Sequence, residues 1–194
     1  MSTNLSHRKP ESNSIAPELI AGLSNKNGMK RRESRKRLEK MGTIATPFLI
    51  SALANGNEMT RWEAAKALIK IQDPAAAEAL CNALMDESFE IQWLAAEALI
   101  ALGIEAVRPI LLKLIEHYDS PYLRQGAHHV LKKLAKKESA PKEISSIVKD
   151  LNLLTPMEPV PLAVKRVLEK MKHNQHFYAP RTVEESGTRG GMNK

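Results

Sequence analysis

The sequence predicts an all-α fold, a right-handed α-α superhelix of four helical hairpins closed by a divergent C-terminal capping hairpin. Three observations carry that expectation. Four stretches of the chain align with one another without gaps at offsets of 30, 31 and 32 residues. Within each stretch the apolar residues recur at three- and four-residue spacing, the period of a helix with one buried face. Aromatic residues make up only 4% of a chain that is 43% hydrophobic, so its core must be built from Leu, Ile, Val and Ala.

The aligned stretches are RRESRKRLEKMG (31–42), RWEAAKALIKIQ (61–72), QWLAAEALIALG (92–103) and RQGAHHVLKKLA (124–135). Arg31, Arg61, Gln92 and Arg124 share one column, and Leu38, Leu68, Leu99 and Leu131 another. Met41, Ile71, Leu102 and Leu134 complete the apolar face. Upstream of each lies a second helical segment. In the first unit it carries Pro17, Leu19 and Leu23; in the second Pro47, Leu49 and Leu53; in the third Glu78, Leu80 and Leu84; in the fourth Pro109, Leu111 and Ile115. Thr46-Pro47 reads as an N-cap followed by proline in the first turn, where its missing N–H removes no helical hydrogen bond. Asp73-Pro74 plays that part earlier in the third unit, and Asn55-Gly56-Asn57 and Gly103 carry helix-stop chemistry. Each unit is therefore an A helix followed by a B helix.

Past residue 135 the period loosens. Ile144, Ile147, Val148 and Leu151 form one amphipathic face, and Val164, Val167, Leu168 and Met171 another. The proline-rich 155–161 stretch between them is extended or turned. The expected organisation is a disordered arm over 1–14, repeats over 15–135, divergent capping helices over 136–173 and a disordered tail over 174–194.

The B-helix pattern R-x-x-A-A-x-A-L-x-x-I/L-G, met almost completely at 61–72 and 92–103, resembles the HEAT repeat, in particular the short HEAT-like repeat first associated with phycobilisome lyases. The first unit departs from it with Ser34-Arg35 at the alanine pair and the fourth with Ala127-His128; Gln72 and Ala135 stand in the glycine column. The resemblance implies hairpins that bury a shared core by stacking, with the B helices lining a concave face.

On that face the position after the repeat arginine holds Arg32, Trp62, Trp93 and Gln125, so both tryptophans occupy the same repeat position. With Ala65, Ile69, Ala96 and Ile100 they predict an apolar stripe across two B helices. Arg32, Arg35, Lys36 and Arg61 flank it on one side, and Glu97, Arg124, His128, His129 and Lys132 on the other. Paired indoles with charged flanks suit a peptide or helix of a partner protein. Packing between repeats is the competing account of the tryptophans, and an inter-repeat ion pair that of Arg61 and Arg124.

Charge is unevenly spread under a net +7. Residues 1–42 carry ten Lys/Arg against four Asp/Glu, residues 43–118 five against ten, and residues 119–194 fourteen against eight. The basic ends raise nucleic-acid binding as an alternative, through Lys30, Arg31, Arg32, Arg35 and Lys36 at one end and Lys132 and Lys133 at the other. The acidic middle opposes it, and no aspartate lies in the tryptophan stripe where HEAT-like DNA glycosylases place a catalytic carboxylate. A phycobilin lyase or chromophore chaperone is a further alternative implied by the resemblance.

Nucleotide-binding and hydrolase motifs are missing from the sequence, and no small-molecule substrate, cofactor or catalytic residue is expected. His128 and His129 are adjacent and point about 100° apart on a helix, so they make a poor metal site. His173 and His176 are three apart at the end of a helix and would bind a metal only weakly, and the absence of a His-Glu dipeptide argues against the di-iron hydroxylases built on this repeat. One cysteine, Cys81, excludes a disulfide framework; with no signal-like or membrane-spanning run, a cytoplasmic protein is expected.

Overall fold

The computed structural model describes residues 10–136 together with 144, 145, 148, 164, 165, 168 and 169. Over residues 10–136, eight α-helices follow one another: α1 (Pro10–Gly22), α2 (Gly28–Met41), α3 (Thr46–Asn55), α4 (Glu58–Ile71), α5 (Ala77–Ala83), α6 (Phe89–Leu102), α7 (Val107–Glu116) and α8 (Pro121–Leu134). Among the described residues there is no strand. The odd-numbered helices pack side by side in one layer and the even-numbered in a second. Each odd helix also packs on the even helix that follows it, so four hairpins are stacked in chain order as an α-α solenoid.

The apolar columns form the seam between the layers. Leu38, Leu68, Leu99 and Leu131 are buried, as are Leu19, Leu49, Leu80 and Leu111. Each such leucine contributes about 1.5–3 kcal/mol relative to exposure. The alanine pairs Ala64-Ala65 and Ala95-Ala96 are buried as well, and their small volume lets neighbouring helices approach.

Capping is local and repeated. Asn27, Asn57 and Ser120 accept hydrogen bonds through their side chains from the amides of Met29, Thr60 and Leu123 at the starts of α2, α4 and α8. From each of the first three B helices the chain enters the next hairpin through a one-turn 3-10 helix, at Gly42–Ala45, Pro74–Ala76 and Gly103–Ala106. Asp73 caps the middle one by accepting from the Ala75 amide.

The glycine column proves to be a conformational demand. Gly42 and Gly103 have φ of 61° and 70°, and Gln72, in the same column, is held at φ 54°. Ala135, in the same column at the end of α8, instead has a right-handed φ of −59°.

Two local expectations are corrected. Thr46 is not an N-cap: the 3-10 turn runs straight into α3, so Thr46 already has helical φ and ψ and its buried hydroxyl finds no hydrogen-bond partner among the described residues. The arm expected over 1–14 is helical from Pro10 onward, proline being tolerated in a first turn; residues 1–9 lie outside the described residues. Ile144 and Val164 are buried in the common core, with Val148 and Leu168 packed against it. The remainder of the expected capping helices, and the tail over 174–194, lie outside the described residues.

Candidate functional site

The repeat-arginine column holds the hairpins together. Arg31 Nη1 donates to the carbonyls of Asn25 and Lys26, Arg61 Nη1 to that of Gly56, and Gln92 Nε2 to that of Asp86. Each donor thus ties a B helix to the turn that precedes it. The arginines also reach forward. Arg61 donates to both Asp86 carboxylate oxygens, at 2.8 and 3.0 Å, and to Glu87 at 3.0 Å. The hydrogen bond from Arg61 to Asp86 raises the arginine's pKa against the opposing effect of burial. Arg31 Nε lies 3.6 Å from the buried Glu63, to which Arg35 Nη1 donates at 2.6 Å; Arg35 Nε donates to Glu39. Arg61 and Arg35 are therefore engaged in bonds within the solenoid. A hollow of about 630 Å³ beside the Arg61–Asp86 pair lies between α3 and α5, away from the tryptophans.

A second hollow, of about 300 Å³, lies between α6 and α8. Phe89, Trp93 and Tyr122 form its apolar walls, with Leu84 and Gly126 also lining it. These rings are 67%, 49% and 58% exposed, an unusual concentration of free aromatic surface in a chain with eight aromatic residues. Gly126 sets the depth: a Cβ there would stand 2.9 Å from Leu84 Cδ2, so only glycine lets α8 approach Leu84 this closely. The Trp93 and His129 rings are 5.2 Å apart and inclined at 46°. His129 Nε2 is 3.9 Å from Glu97 Oε1. Burial, then the positive charges of Lys132 and His129, push the His128 pKa below its ordinary value, so the groove favours that imidazole neutral. Gln92, Gln125 and Lys132 supply polar groups at the edge.

Trp62 has a different setting. Lys66 Nζ lies 3.8 Å from the centre of its ring, a cation–π contact, and the half-buried indole also packs against the hydrophobic core. Burial lowers the Lys66 pKa, with further lowering from Arg35 and, less, Arg32, against the opposing pull of Glu63 and Glu39. The expected pair of equivalent anchors is thus split: Trp93 lies in the α6–α8 groove, and Trp62 lies under a lysine beside a cationic cluster.

Of the other expected site residues, His128 lines the groove and Glu97 stands behind His129. Ile69 and Ile100 are partly buried against the core, and Arg124 is half-buried at the start of α8. Lys30, Arg32 and Lys36 are exposed on α2, and Lys132 and Lys133 on the last turn of α8. The two basic groups occupy opposite ends of the array. Phe89 and Tyr122 were not singled out from the sequence. A signal existed for Tyr122, which shares a repeat position with Met29 and Met59, both exposed.

Among the described residues no three His, Cys, Asp or Glu side chains gather to hold a metal, and no helix is long and apolar enough to cross a membrane. His173 and His176 lie outside the described residues. Cys81 is buried, and burial pushes its thiol up to about 12, far from a nucleophile's range.

A family model described as HEAT repeats matches residues 16–99 and again 77–150. Among proteins of curated function, none matches the sequence. Among solved structures, 15 chains match. One belongs to the complex of CpcE and CpcF of phycocyanin lyase from Nostoc sp. PCC7120. It is similar at 20% identity and a TM-score of 0.54, over 80% of this chain and 99% of that one.

Proposed function

The chain belongs to the HEAT-repeat family, and from that premise we propose that it is a non-catalytic docking protein that seats a peptide or helix of a partner protein on its B-helix face. The observation that carries this reading is the aromatic groove between α6 and α8, where Phe89, Trp93 and Tyr122 converge on one hollow. Rigid aromatic rings lose little conformational entropy on binding and supply large area, which is why they dominate interface energetics. The groove belongs to stacked helices rather than to loops, so it is preformed. The similar phycocyanin-lyase chain belongs to a complex of two proteins, which agrees with a protein partner.

Nucleic acid fits less well. Arg31 and Arg35 of the basic helix are already paired with Glu63, and exposed Glu87 and Glu90 lie between the two basic ends. Duplex binding would set those carboxylates against phosphates.

The test places a photo-reactive phenylalanine analogue at Tyr122 of the full chain and compares it with the same chain carrying Trp93→Ala. Discrete protein adducts that disappear with Trp93→Ala, while Arg108→Ala on α7 leaves them intact, are expected. Adducts that persist in Trp93→Ala, or that contain nucleic acid, would remove the groove from the docking role.

A further inference from the structure

Repeat geometry places a second chemistry on the face that carries the groove. Trp93 and Gln125 occupy one repeat position and both line the hollow, so Arg32 and Trp62, at that position in α2 and α4, face the same side. His129 also lines it, and its repeat equivalents are Lys36, Lys66 and Glu97. Going along the B layer from α8 to α2, the face therefore changes from aromatic to cationic.

Glu63 and Glu39 attract Lys66 and balance part of the charge at the α2–α4 end. Glu39 and Glu63 are taken up by Arg35 and Arg31. Among the described residues no ion pair forms at Arg32, Lys36 or Lys66. Lys66 is held over the Trp62 ring close enough to Arg32 and Arg35 to feel their repulsion. Crowded cations on a half-buried indole are relieved by an incoming anion, and Trp62 gives the stem of such a ligand an apolar floor.

We propose that Arg32, Lys36 and Lys66 form a carboxylate-binding subsite that works with the aromatic groove, so that the partner segment carries an apolar anchor at one end and an acidic cluster at the other. This rests on the docking reading above and adds the partner's charge pattern. Neighbouring helices are about 8–10 Å apart, so two steps along the B layer separate the subsites by about 16–20 Å. An extended peptide covers that in roughly five or six residues. Between the two subsites Ala65 and Ala96 are buried, Ile69 and Ile100 are half-buried against the core, and Glu97 is the charged group of α6 at the Lys66 repeat position.

Fluorescence anisotropy with the full chain tests this using synthetic peptides. Phe-Leu-Trp and Glu-Glu-Glu are joined by a Gly/Ser spacer of about five residues, in both orders. Matched peptides carry Gln for Glu, or Ser for the apolar residues. In one order the Glu peptide is expected to bind about tenfold more tightly than its Gln counterpart, with the gap closing as salt rises. Arg32→Glu with Lys66→Glu should bring the Glu peptide to the Gln level or below it and leave the Gln peptide unchanged. Arg32→Gln with Lys36→Gln, confined to exposed positions, gives the same direction if the first variant folds poorly. Equal binding of Glu and Gln peptides in both orders would overturn the carboxylate subsite while leaving the groove standing. Failure of every peptide to bind, or binding indifferent to Trp93→Ala, would overturn the docking reading and this inference with it. Displacement of the Glu peptide by an unrelated single-stranded RNA of similar charge would overturn the selectivity for carboxylates.

Discussion

Arg61→Met tests whether the repeat arginine fastens one hairpin to the next. The change keeps the apolar stem and removes five N–H donors. Arg61 and Asp86 side chains are 13% and 10% exposed, so the pair lies between two limits. An exposed ion pair contributes about 0–1 kcal/mol. Removing one partner of a buried pair costs about 3–5 kcal/mol, because the other charge is stranded. Asp86 is not wholly stranded, since the Ser88 amide still donates to it at 2.9 Å. Glu87 is 84% exposed and adds nothing once solvated. The expected loss is therefore about 2–3 kcal/mol. Urea unfolding followed by circular dichroism reads it as a midpoint lowered by about 1 M with an unchanged slope. Arg31→Met is the internal control. Its guanidinium is 3.6 Å from Glu63, which keeps Arg35 at 2.6 Å, so about 1 kcal/mol or less is expected from the same repeat position. A double-mutant cycle with Asp86→Asn should return a coupling of about 1.5 kcal/mol or more. Equal losses for Arg61→Met and Arg31→Met, or a coupling near zero, would refute the reasoning.

Other expectations concern single positions. Gln72→Gly should stabilise the chain by about 1 kcal/mol, since a side chain at φ 54° carries the left-handed penalty that glycine avoids; a lowered melting temperature would contradict this. Gly56 has an ordinary extended backbone, yet Gly56→Ala should destabilise by about 1–3 kcal/mol, because the new Cβ would meet the Ala52 carbonyl at 2.5 Å and Thr60 at 2.7 Å. His128 has a folded pKa below its ordinary 6.5, so the unfolded chain binds the proton more readily. Stability is full above 6.5 and falls as pH drops through the window beneath it. Wild type should therefore lose more stability than His128→Gln between about pH 7.5 and about pH 5.5. Cys81, with its thiol pushed up to about 12, should react with Ellman's reagent at the rate of unfolding and not before.

The solenoid was legible because stacking repeats one physical requirement at a fixed interval. A leucine that must fill the seam in one hairpin must fill it in the next, so Leu38, Leu68, Leu99 and Leu131 align and all are buried. The glycine column was visible too, and its exceptions were informative. Gln72 accepts a left-handed backbone, whereas Ala135 keeps a right-handed φ of −59°. Helix starts were less legible. Thr46-Pro47 has the composition of a cap, but the backbone before it is already helical through the 3-10 turn. A cap depends on the conformation of the preceding residue, which a dipeptide does not encode.

The functional face was half legible, for a reason that lies in the residue four places after each tryptophan. Alignment assigns Trp62 and Trp93 to one side of the B layer, but not what lies over each ring. In α4 the residue one turn on is Lys66, long and cationic, and it reaches back over its own indole. In α6 it is Glu97, whose charge offers nothing to the face of a ring and instead lies 3.9 Å from His129 of the next helix. His129 then packs at a tilt on Trp93, and both rings line the groove with Phe89 and Tyr122. Arg61 follows the same logic: its column fixes the face, while Asp86 and Glu87 in the following turn decide that it acts as a clamp. Repeat position sets which way a side chain points, and the neighbouring repeat sets whether it remains available. Exchanging Lys66 and Glu97 in a single protein should therefore exchange the settings of the two indoles, with Trp62 becoming more accessible to acrylamide quenching and Trp93 less.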